Sequence, residues 1–250
     1  MKKYALITGG AKGLGKAIAI KFAKNNINIG IAARDEKALQ HTSTLIKGLG
    51  VDCYAFKVDL NKQNEVQKLA DDAFKNSKKW DILVNNAGYA LKKPLLELNL
   101  EDWDYIQNVN LRSVFQLSKL MVPQMIENKG GKIINISSLG AFFGTSGMAA
   151  YGVSKAGLNQ LTRTMAVEWG PFNIQTNAIC PTIVMTDMGR SIWDTPENAK
   201  MKNNFLEKIP MGRFGEPEDV ANLAYFLASE ESDYINGQSI PLEGGKMAKP

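Results

Sequence analysis

Short apolar runs alternate with longer amphipathic stretches along almost the whole chain, and this alternation constrains the fold more than any other feature of the sequence. The runs are dense in Ile, Val, Leu and Ala without strict polar alternation, which is typical of strands buried on both faces. Seven strands are predicted, at 4–8, 27–33, 53–58, 81–86, 132–137, 174–179 and 239–242. Helices are predicted at 14–25, 35–48, 62–77, 101–127, 152–169 and 217–228. The alternation predicts an α/β fold, a parallel sheet with helices on both faces.

No linker, internal repeat or low-complexity tract divides the chain, so one domain over residues 1–250 is predicted. The segment 186–214 departs from the general rhythm. It mixes methionines and Trp193 with polar residues, and Pro196 and Pro210 interrupt it. Met-rich, aromatic segments at the mouth of an α/β sheet often form lids over a substrate. An ordinary helical excursion that covers the core explains the composition equally well.

The scarcity of histidine and cysteine excludes much familiar chemistry. The one histidine, His41, cannot make a multi-histidine zinc site, and the two cysteines, Cys53 and Cys180, form no CxxC pair, so no metal site is predicted. His41 also lies in a polar, helix-like stretch, which is a poor setting for a serine-hydrolase triad. If the chain is an enzyme, its acid–base group is expected to be something other than an imidazole.

Charge and hydropathy predict a cytoplasmic protein. The net charge of +5 is scattered without a basic block, so no nucleic-acid partner is expected. Two cysteines in 250 residues fit a reducing compartment. The apolar run after Lys2 and Lys3 is too short for a signal peptide. The charge-free window 133–154 holds four serines and four glycines, so no membrane-spanning helix is expected.

A glycine-rich turn follows the first predicted strand and precedes an amphipathic helix. Its glycines are Gly9, Gly10, Gly13 and Gly15. Glycines let a backbone approach a ligand closely, and the amides at a helix start point at an anion. The spacing differs from the G-x-G-x-x-G fingerprint of dinucleotide sites. Its place between strand and helix nevertheless predicts a site for the phosphates of a dinucleotide.

The end of the second predicted strand bears on the choice between two nicotinamide cofactors. An acidic residue there hydrogen-bonds ribose hydroxyls, whereas an arginine accommodates a 2′-phosphate. Here Ala33 is followed by Arg34, and Lys12 in the glycine turn offers a second cation. This pattern favours NADP(H), with NAD(H) as the alternative. Asp35 could instead be the ribose ligand, or Arg34 and Asp35 could simply start a solvated helix.

A tyrosine and a lysine supply a proton-transfer pair without histidine. Tyr151 and Lys155 are four residues apart in a predicted helix and so project from one face. A nearby ammonium favours the phenolate and lowers the tyrosine pKa from about 10. Ser138 follows a strand and could polarise a carbonyl oxygen. The set suits proton transfer to or from a carbonyl/alcohol couple while a nicotinamide carries the hydride.

Together, these motifs and several others make the chain similar to the short-chain dehydrogenase/reductase family from end to end. The resemblance is carried by the run Thr8-Gly9-Gly10-Ala11-Lys12-Gly13-Leu14-Gly15, by Asp59-Leu60, by Asn85-Asn86-Ala87-Gly88, by Val109-Asn110-Leu111, and by Ser138, Tyr151 and Lys155. It implies a Rossmann-like, doubly wound, three-layer α/β/α domain with a seven-stranded parallel sheet. It also implies a homotetramer, expected to assemble through helices near 101–127 and 152–169. Apolar residues that could make those subunit contacts are Val114, Phe115, Leu158, Leu161 and Met165.

The resemblance also implies roles for individual residues. Tyr151 would be the acid/base, and Lys155 would bind the nicotinamide ribose. Ser138 would hold the substrate oxygen, and Asn110 a water that links Lys155 to solvent. The implied cofactor contacts are Gly9, Lys12, Gly13, Leu14, Gly15, Arg34, Asp59, Leu60, Asn86, Ala87, Gly88, Tyr151, Lys155, Pro181, Ile183 and Thr186. The expected substrate contacts are Ser138, Tyr151, Thr182, Met188 and Trp193.

One departure from the family pattern bears on the substrate. Most members carry Pro-Gly after the sixth strand, whereas this chain has Pro181-Thr182. The segment 180–189 resembles L-xylulose/dicarbonyl reductases and related sugar or polyol dehydrogenases. The leading hypothesis is therefore an NADPH-dependent oxidoreductase acting on a small polyhydroxylated ketone: a ketose, a dicarbonyl or a keto-sugar acid.

Two other functions stay open. A 3-oxoacyl-[acyl-carrier-protein] reductase needs a basic patch to dock its acidic carrier. The scattered lysines that could supply one are Lys92, Lys93, Lys129 and Lys132. A non-catalytic sensor or scaffold that binds the cofactor is the alternative of another class, although the intact residues Asn110, Ser138, Tyr151 and Lys155 argue against it.

Overall fold

The computed structural model describes residues 2–77 and 79–248, so Met1, Lys78, Lys249 and Pro250 of the predicted domain lie outside the described residues. Seven described strands form one parallel sheet in the order β3-β2-β1-β4-β5-β6-β7. This confirms the predicted sheet. The strands are β1 (Tyr4–Thr8), β2 (Asn28–Ala33), β3 (Cys53–Lys57), β4 (Ile82–Asn85), β5 (Gly131–Ile136), β6 (Ile174–Pro181) and β7 (Ser239–Leu242).

The order of the strands reverses between β1 and β4. The chain moves outward from β1 to β2 and β3, and then returns to place β4 on the other side of β1. In open parallel sheets, such a switch point leaves a crevice at the carboxyl ends of the strands, and ligands bind there. Thr8 ends β1 and Asn85 ends β4, so the residues that follow them border this crevice.

Helices cover both faces of the sheet. They are α1 (Gly13–Lys24), α2 (Glu36–Lys47), α3 (Gln63–Asn76), α4 (Leu100–Gln107), α5 (Ser113–Glu127), α6 (Ala149–Trp169), α7 (Asp187–Trp193), α8 (Ala199–Leu206) and α9 (Pro217–Ala228). On one face, α1, α2 and α9 bury apolar side chains such as Phe22 and Leu227. On the other face, α3 and α5 pack with Trp80, which is fully buried. Burial of such side chains is the main stabilising contribution.

A chain of buried polar side chains ties the centre of the sheet to two helices. Asn85 Nδ2 donates to Asn135 Oδ1 at 2.9 Å and to Ser118 Oγ of α5 at 3.1 Å. Asn135 Nδ2 in turn donates to Thr162 Oγ1 of α6 at 2.9 Å. Buried polar groups cost free energy unless they are paired. This network therefore fixes α5 and α6 relative to β4 and β5.

The long helix predicted at 101–127 is in fact interrupted. It consists of α4, a π-helical turn at Asn108–Arg112, and α5. A π-turn is rare and is often found at functional sites. Hydrophobic periodicity could not reveal it, because one extra residue in a turn shifts the apolar pattern only slightly.

The prediction for the outer faces of these helices was partly wrong. Val114, Leu158 and Met165 are buried in the core, at 4%, 1% and 2% exposure, and offer nothing to a second subunit. Phe115 is 49% exposed and Leu161 is half-buried.

None of the helices within 2–77 and 79–248 has both the length and the apolar character needed to cross a membrane.

Candidate active site

Asn86, directly after β4, pins the glycine turn to the sheet. Its Nδ2 donates to the carbonyl oxygens of Thr8 at 2.8 Å and Gly9 at 3.3 Å. The Thr8 hydroxyl accepts from the backbone N–H groups of Asn86 and Ala87 at 3.0 and 3.1 Å. Gly9 has φ 65°, and a Cβ there would lie 2.7 Å from Asn86 Nδ2. Glycine is therefore required at this turn.

The remaining residues of the turn divide into two groups. Gly13 has φ 53°, and a Cβ on it would meet only Thr186, at 3.4 Å. Gly13 therefore leaves open space at the crevice. Gly15 is buried, and a Cβ there would collide with the Gly9 carbonyl. Leu14 packs against the core. Gly15 and Leu14 therefore shape the turn from behind and do not line the crevice.

A cavity of about 700 Å³ lies at the switch point. Ten of the sequence-predicted cofactor residues line it: Gly9, Lys12, Gly13, Arg34, Asp59, Leu60, Asn86, Ala87, Gly88 and Thr186. Because glycines line one side of this cavity, a pyrophosphate can approach the backbone N–H groups closely. The residues present therefore fit a dinucleotide.

Each of the two predicted cations has a partner in this cavity. Lys12 Nζ lies 2.7 Å from Asp35 Oδ2, and both side chains are exposed. Arg34 Nη1 donates to the Tyr105 hydroxyl at 2.7 Å. Asp35 also accepts from Ala38 N at 3.0 Å as the cap of α2. The contact with Lys12 holds the pKa of Asp35 below its usual range.

Tyr151 and Lys155 lie one turn apart near the start of α6. Lys155 Nζ is 5.8 Å from the centroid of the Tyr151 ring and donates to the Ile136 carbonyl at 2.8 Å. Lys155 is 3% exposed. The Ser138 side chain is hydrogen-bonded to Tyr151, and its Oγ accepts from Gly140 N at 3.1 Å. The strand end that carries Ser138 therefore meets the helix that carries the tyrosine.

Asn110 lies in the π-turn and is fully buried. Its Nδ2 donates to Tyr89 O at 2.9 Å and to Ser154 Oγ at 3.0 Å, and its Oδ1 accepts from Tyr89 N at 2.8 Å. A Cβ on Gly88 would lie 3.5 Å from both Asn110 Oδ1 and Lys155 Nζ. Gly88 lines the first cavity, so only its backbone separates that cavity from the buried lysine amine on this side.

Burial, rather than charge pairing, sets the pKa values of the pair. Burial raises the pKa of Tyr151, and the hydrogen bond from Ser138 offsets part of this effect. Burial also lowers the pKa of Lys155 to about 8. Desolvation disfavours both charged forms and outweighs the other effects here, so the lowering of the tyrosine pKa by the Lys155 ammonium stays a prediction.

A second cavity, of about 620 Å³, is bordered by Tyr151. Ser138, Tyr151 and Thr182 line it, as expected for substrate contacts, and so do Pro181 and Ile183, which were expected to contact the cofactor. Tyr151 and Ser138 thus face a space separate from the one that the glycine turn borders.

Two expected substrate residues lie elsewhere. Met188 lines the first cavity and is 74% exposed. Trp193 packs edge-on against Phe205 and Phe214, with ring centroids 5.2 and 5.3 Å away. It lines neither cavity. Trp193 therefore anchors the 186–214 segment to its own small apolar cluster.

Several residues at the two cavities carried no sequence signal. Tyr105 holds Arg34, and Phe142, Phe143 and Lys246 line the second cavity. Each reaches the site through the fold from an otherwise ordinary stretch of sequence. Lys246 stands near the end of the chain, almost a hundred residues from Tyr151, so no local motif could have found it.

Comparison with known proteins agrees with this geometry. A family model described as enoyl-(acyl carrier protein) reductase matches residues 9–246. A 3-oxoacyl-[acyl-carrier-protein] reductase of Thermotoga maritima is 35% identical over 243 residues, which are 97% of each chain.

Two solved structures show the same fold. A putative NAD(P)-dependent gluconate 5-dehydrogenase from Beutenbergia cavernae, with bound NADP, has a TM-score of 0.92 and 30% identity, and the match covers 99% of this chain and 97% of that one. A 7α-hydroxysteroid dehydrogenase, complexed with NADH and 7-oxo glycochenodeoxycholic acid, has a TM-score of 0.91 and 37% identity, and the match covers 97% of this chain and 93% of that one.

The fold and the matches define the class: the protein is an NAD(P)-dependent oxidoreductase that acts on CH–OH groups. The chain belongs to the short-chain dehydrogenase/reductase family. Its relatives include both carrier-protein reductases and sugar or polyol dehydrogenases.

Proposed function

We propose that this protein is an NADP(H)-preferring carbonyl reductase, reversible as an alcohol dehydrogenase, for a small polyhydroxylated ketone. The observation that carries the proposal is the position of Tyr151, with Ser138 hydrogen-bonded to it and Lys155 one turn away. Hydroxyls of Ser138, Thr145, Tyr151 and Thr182 belong to residues that line the second cavity, and they supply hydrogen bonds for a hydroxylated substrate.

In the reductive direction, Tyr151 is the proton donor. A bound reduced nicotinamide supplies the hydride that reaches the carbonyl carbon. The Tyr151 hydroxyl gives its proton to the carbonyl oxygen, while the Ser138 hydroxyl donates a hydrogen bond to the same oxygen. Lys155 stabilises the phenolate that remains. Asn110 holds Ser154 through a hydrogen bond to its Oγ, and Ser154 Oγ in turn donates to the Tyr151 carbonyl at 2.7 Å. Oxidation of the alcohol reverses these transfers.

Lys12 and Arg34 support the preference for NADP(H). Both line the first cavity at the end of β2, where a 2′-phosphate is expected. Arg34 has no carboxylate partner among the described residues, and its contact with Tyr105 leaves the guanidinium charge unneutralised. Asp35 caps α2 and pairs with Lys12, which argues against its role as a dedicated ribose ligand.

A 3-oxoacyl-[acyl-carrier-protein] reductase is the second candidate, and the Thermotoga maritima relative supports it. The four lysines of the candidate docking surface do not form one basic patch, however. Lys129 and Lys132 lie at the amino end of β5, at the opposite edge of the sheet from Tyr151, and Lys132 is paired with Asp233 at 2.6 Å. Of these four lysines, Lys92 and Lys93 lie near the second cavity, beside Gly147. Lys93 is paired with Asp102.

Three broader features belong to the same proposal. The segment 186–214, with α7 and α8, acts as a lid within a single domain, since it borders the first cavity through Thr186 and Met188. The protein assembles as a homotetramer through the faces of α5 and α6, where Phe115 and Leu161 border a groove. Its expected location is the cytoplasm, which its two unpaired cysteines fit.

Turnover assays with NADPH and NADH test this function. The purified full chain is offered ketoses, dicarbonyls, keto-sugar acids and an acetoacetyl thioester, and loss of the reduced nicotinamide absorbance is followed. We expect NADPH oxidation with at least one hydroxylated ketone. Faster reduction of the thioester than of every sugar ketone would favour the second candidate. No oxidation of either cofactor with any carbonyl would overturn both.

A further inference from the structure

The second cavity contains one unmatched charge. Lys246 is the only charged residue among those that line it, all of which lie in the described part of the chain. The other lining residues are apolar or carry uncharged hydroxyl groups, among them Ser138, Tyr151 and Thr182. The wall therefore has one positive group and no carboxylate.

The position of Lys246 is set by the sheet. Lys246 follows β7 and a turn in which Gly244 and Gly245 have φ values of 65° and 88°. The backbone N–H of Thr182 donates to Leu242 O at 3.1 Å, which ties the end of β7 to the segment after β6. The turn that carries Lys246 is thus fixed relative to Thr182, another residue of the same cavity.

Two aromatic rings hold the side chain. Lys246 Nζ lies 5.6 Å from the centroid of Phe143 and 5.5 Å from that of Phe205. Contacts of this kind attract an ammonium weakly and orient it without neutralising its charge. Phe143 stands on the loop after β5 and Phe205 on α8, so the amine bridges the loop and the 186–214 segment at the cavity wall.

Lys246 has no ion pair among residues 2–77 and 79–248, in contrast to other lysines of the chain. Lys93 is paired with Asp102 and Lys132 with Asp233. Glu243, the acid nearest to Lys246 in the sequence, accepts from the backbone N–H of Met247 at 2.7 Å. A substrate that fills the cavity would remove water from an ammonium that lacks a counter-charge, and this is costly unless the substrate supplies an anion.

We propose that Lys246 is a specificity-determining residue that selects substrates carrying a carboxylate. The ketone or alcohol oxygen lies at Tyr151 and Ser138, and the carboxylate lies at Lys246. The substrates are then keto acids and the corresponding hydroxy acids. A single ammonium beside two rings suits a monoanion better than a phosphate dianion, which usually takes several donors. The inference rests on the proposed function and narrows its substrate class.

Matched pairs of ketones test the inference. The first pair is 4-oxopentanoate and its methyl ester, which share a carbon skeleton and differ in charge. The second is a keto-sugar acid and the ketose of the same chain length, and a ketose phosphate forms a third arm. We expect the wild type to reduce each acid with a kcat/KM roughly tenfold or more above that of its uncharged partner, as expected for a charge-assisted hydrogen bond. Added salt should reduce the ratio.

Variants of Lys246 give the decisive comparison. Lys246→Gln should remove the preference for the acid, mainly through a higher KM for the acid, so that acid and neutral partner are reduced with similar kcat/KM. Lys246→Arg should keep much of the preference. Lys200→Gln is the matched control, since Lys200 is exposed on α8 and lines neither cavity. It should behave like the wild type. An equal kcat/KM for acid and neutral partner in the wild type, or a stronger preference for the phosphate, overturns the inference while leaving the proposed function standing.

A binding measurement separates the two proposals when turnover is absent. The thermal unfolding midpoint is measured with NADP⁺ present, with and without 4-oxopentanoate. If the acid raises the midpoint of the wild type and not that of Lys246→Gln, the carboxylate site stands even though the proposed reaction fails. If the acid shifts both proteins equally, or neither, the site is refuted.

Discussion

The side-chain amine of Lys155 is almost completely buried, and among the described residues it donates one hydrogen bond, to a backbone carbonyl. It donates to Ile136 O, and burial lowers its pKa to about 8. Near neutral pH the amine is therefore charged, and burying this charge lowers the free energy of unfolding. Such a cost is typical of a functional lysine rather than a structural one. The residue that benefits from a nearby cation is Tyr151, whose phenolate is itself disfavoured by burial.

This cost predicts a pH-dependent difference in stability between the wild type and Lys155→Met. The pKa of Lys155 is about 8 when folded and 10.5 as the ordinary value, so the unfolded chain binds more protons between these limits. The free energy of unfolding of the wild type should therefore rise relative to that of Lys155→Met as the pH increases from 8 to 10.5, by up to roughly 3 kcal/mol. Urea unfolding at several pH values measures it, with Lys200→Met as the control, and parallel curves would contradict the assignment.

Arg34 predicts the cofactor preference. Its guanidinium borders the first cavity, bonded to Tyr105 and without a carboxylate partner among the described residues. Arg34→Ala should raise the KM for NADPH by roughly tenfold or more, because a charge-assisted contact with the 2′-phosphate is lost, and should change the KM for NADH little. Lys37→Ala removes a nearby exposed charge outside the cavity and serves as the control. If neither KM changes in Arg34→Ala, the arginine does not contact the 2′-phosphate and only precedes the cap of α2.

Among the elements, the glycine turn between β1 and α1 depends most strictly on its sequence. Gly9 combines a left-handed φ with close contact to Asn86, whereas Gly50 has φ 83° and open space around it. The two positions therefore separate backbone strain from collision. This pair of glycines provides an internal comparison within one chain.

Gly9→Ala and Gly50→Ala should consequently differ. Gly50→Ala is expected to lower the free energy of unfolding by about 1–2 kcal/mol, the cost of a left-handed alanine. Gly9→Ala should lose about 1–3 kcal/mol more through overlap with Asn86, and it should also weaken NADPH binding. Denaturant unfolding and a fluorescence titration with NADPH measure the two effects. Equal losses in both variants, with NADPH binding intact, would show that the Asn86 contact is unimportant.

The elements themselves were largely predictable. All seven strands lie within two residues of their predicted bounds, because buried parallel strands leave dense apolar runs. The interruption between α4 and α5 and the division of 186–214 into α7 and α8 could not be predicted, since both depend on contacts made after folding. In the site, the glycine turn and Tyr151 with Lys155 follow from local spacing. Tyr105 and Lys246 reach it only through long-range packing.

At the scale of the whole molecule, the outer faces of α5 and α6 predict the assembly. A groove of about 490 Å³ there is bordered by Phe115, which is 49% exposed, and by Leu161. Light scattering should give about four times the chain mass of 27.5 kDa. Phe115→Asp should reduce that mass, because a charge is costly in an apolar interface. Leu45→Asp, on the exposed face of α2, should leave it unchanged. A monomeric wild type would contradict the tetramer.

The arrangement of the sheet and helices shows how a chain with one histidine can transfer a proton. The parallel sheet places Ser138, which follows β5, and Tyr151, at the start of α6, at the same carboxyl edge as the switch point between β1 and β4. Tyr151 and Ser138 line the second cavity, and the glycine turn lines the first. We infer that the hydroxyl of this tyrosine carries the proton.

Replacement of Tyr151 by phenylalanine tests that claim most directly. The variant keeps the ring and removes only the hydroxyl, so kcat for NADPH-dependent ketone reduction should fall by about 10²–10⁴-fold, as for loss of a general acid. The dissociation constant for NADPH, measured by fluorescence titration, should stay near that of the wild type. Turnover by Tyr151→Phe equal to that of the wild type would show that the Tyr151 hydroxyl does not carry the proton.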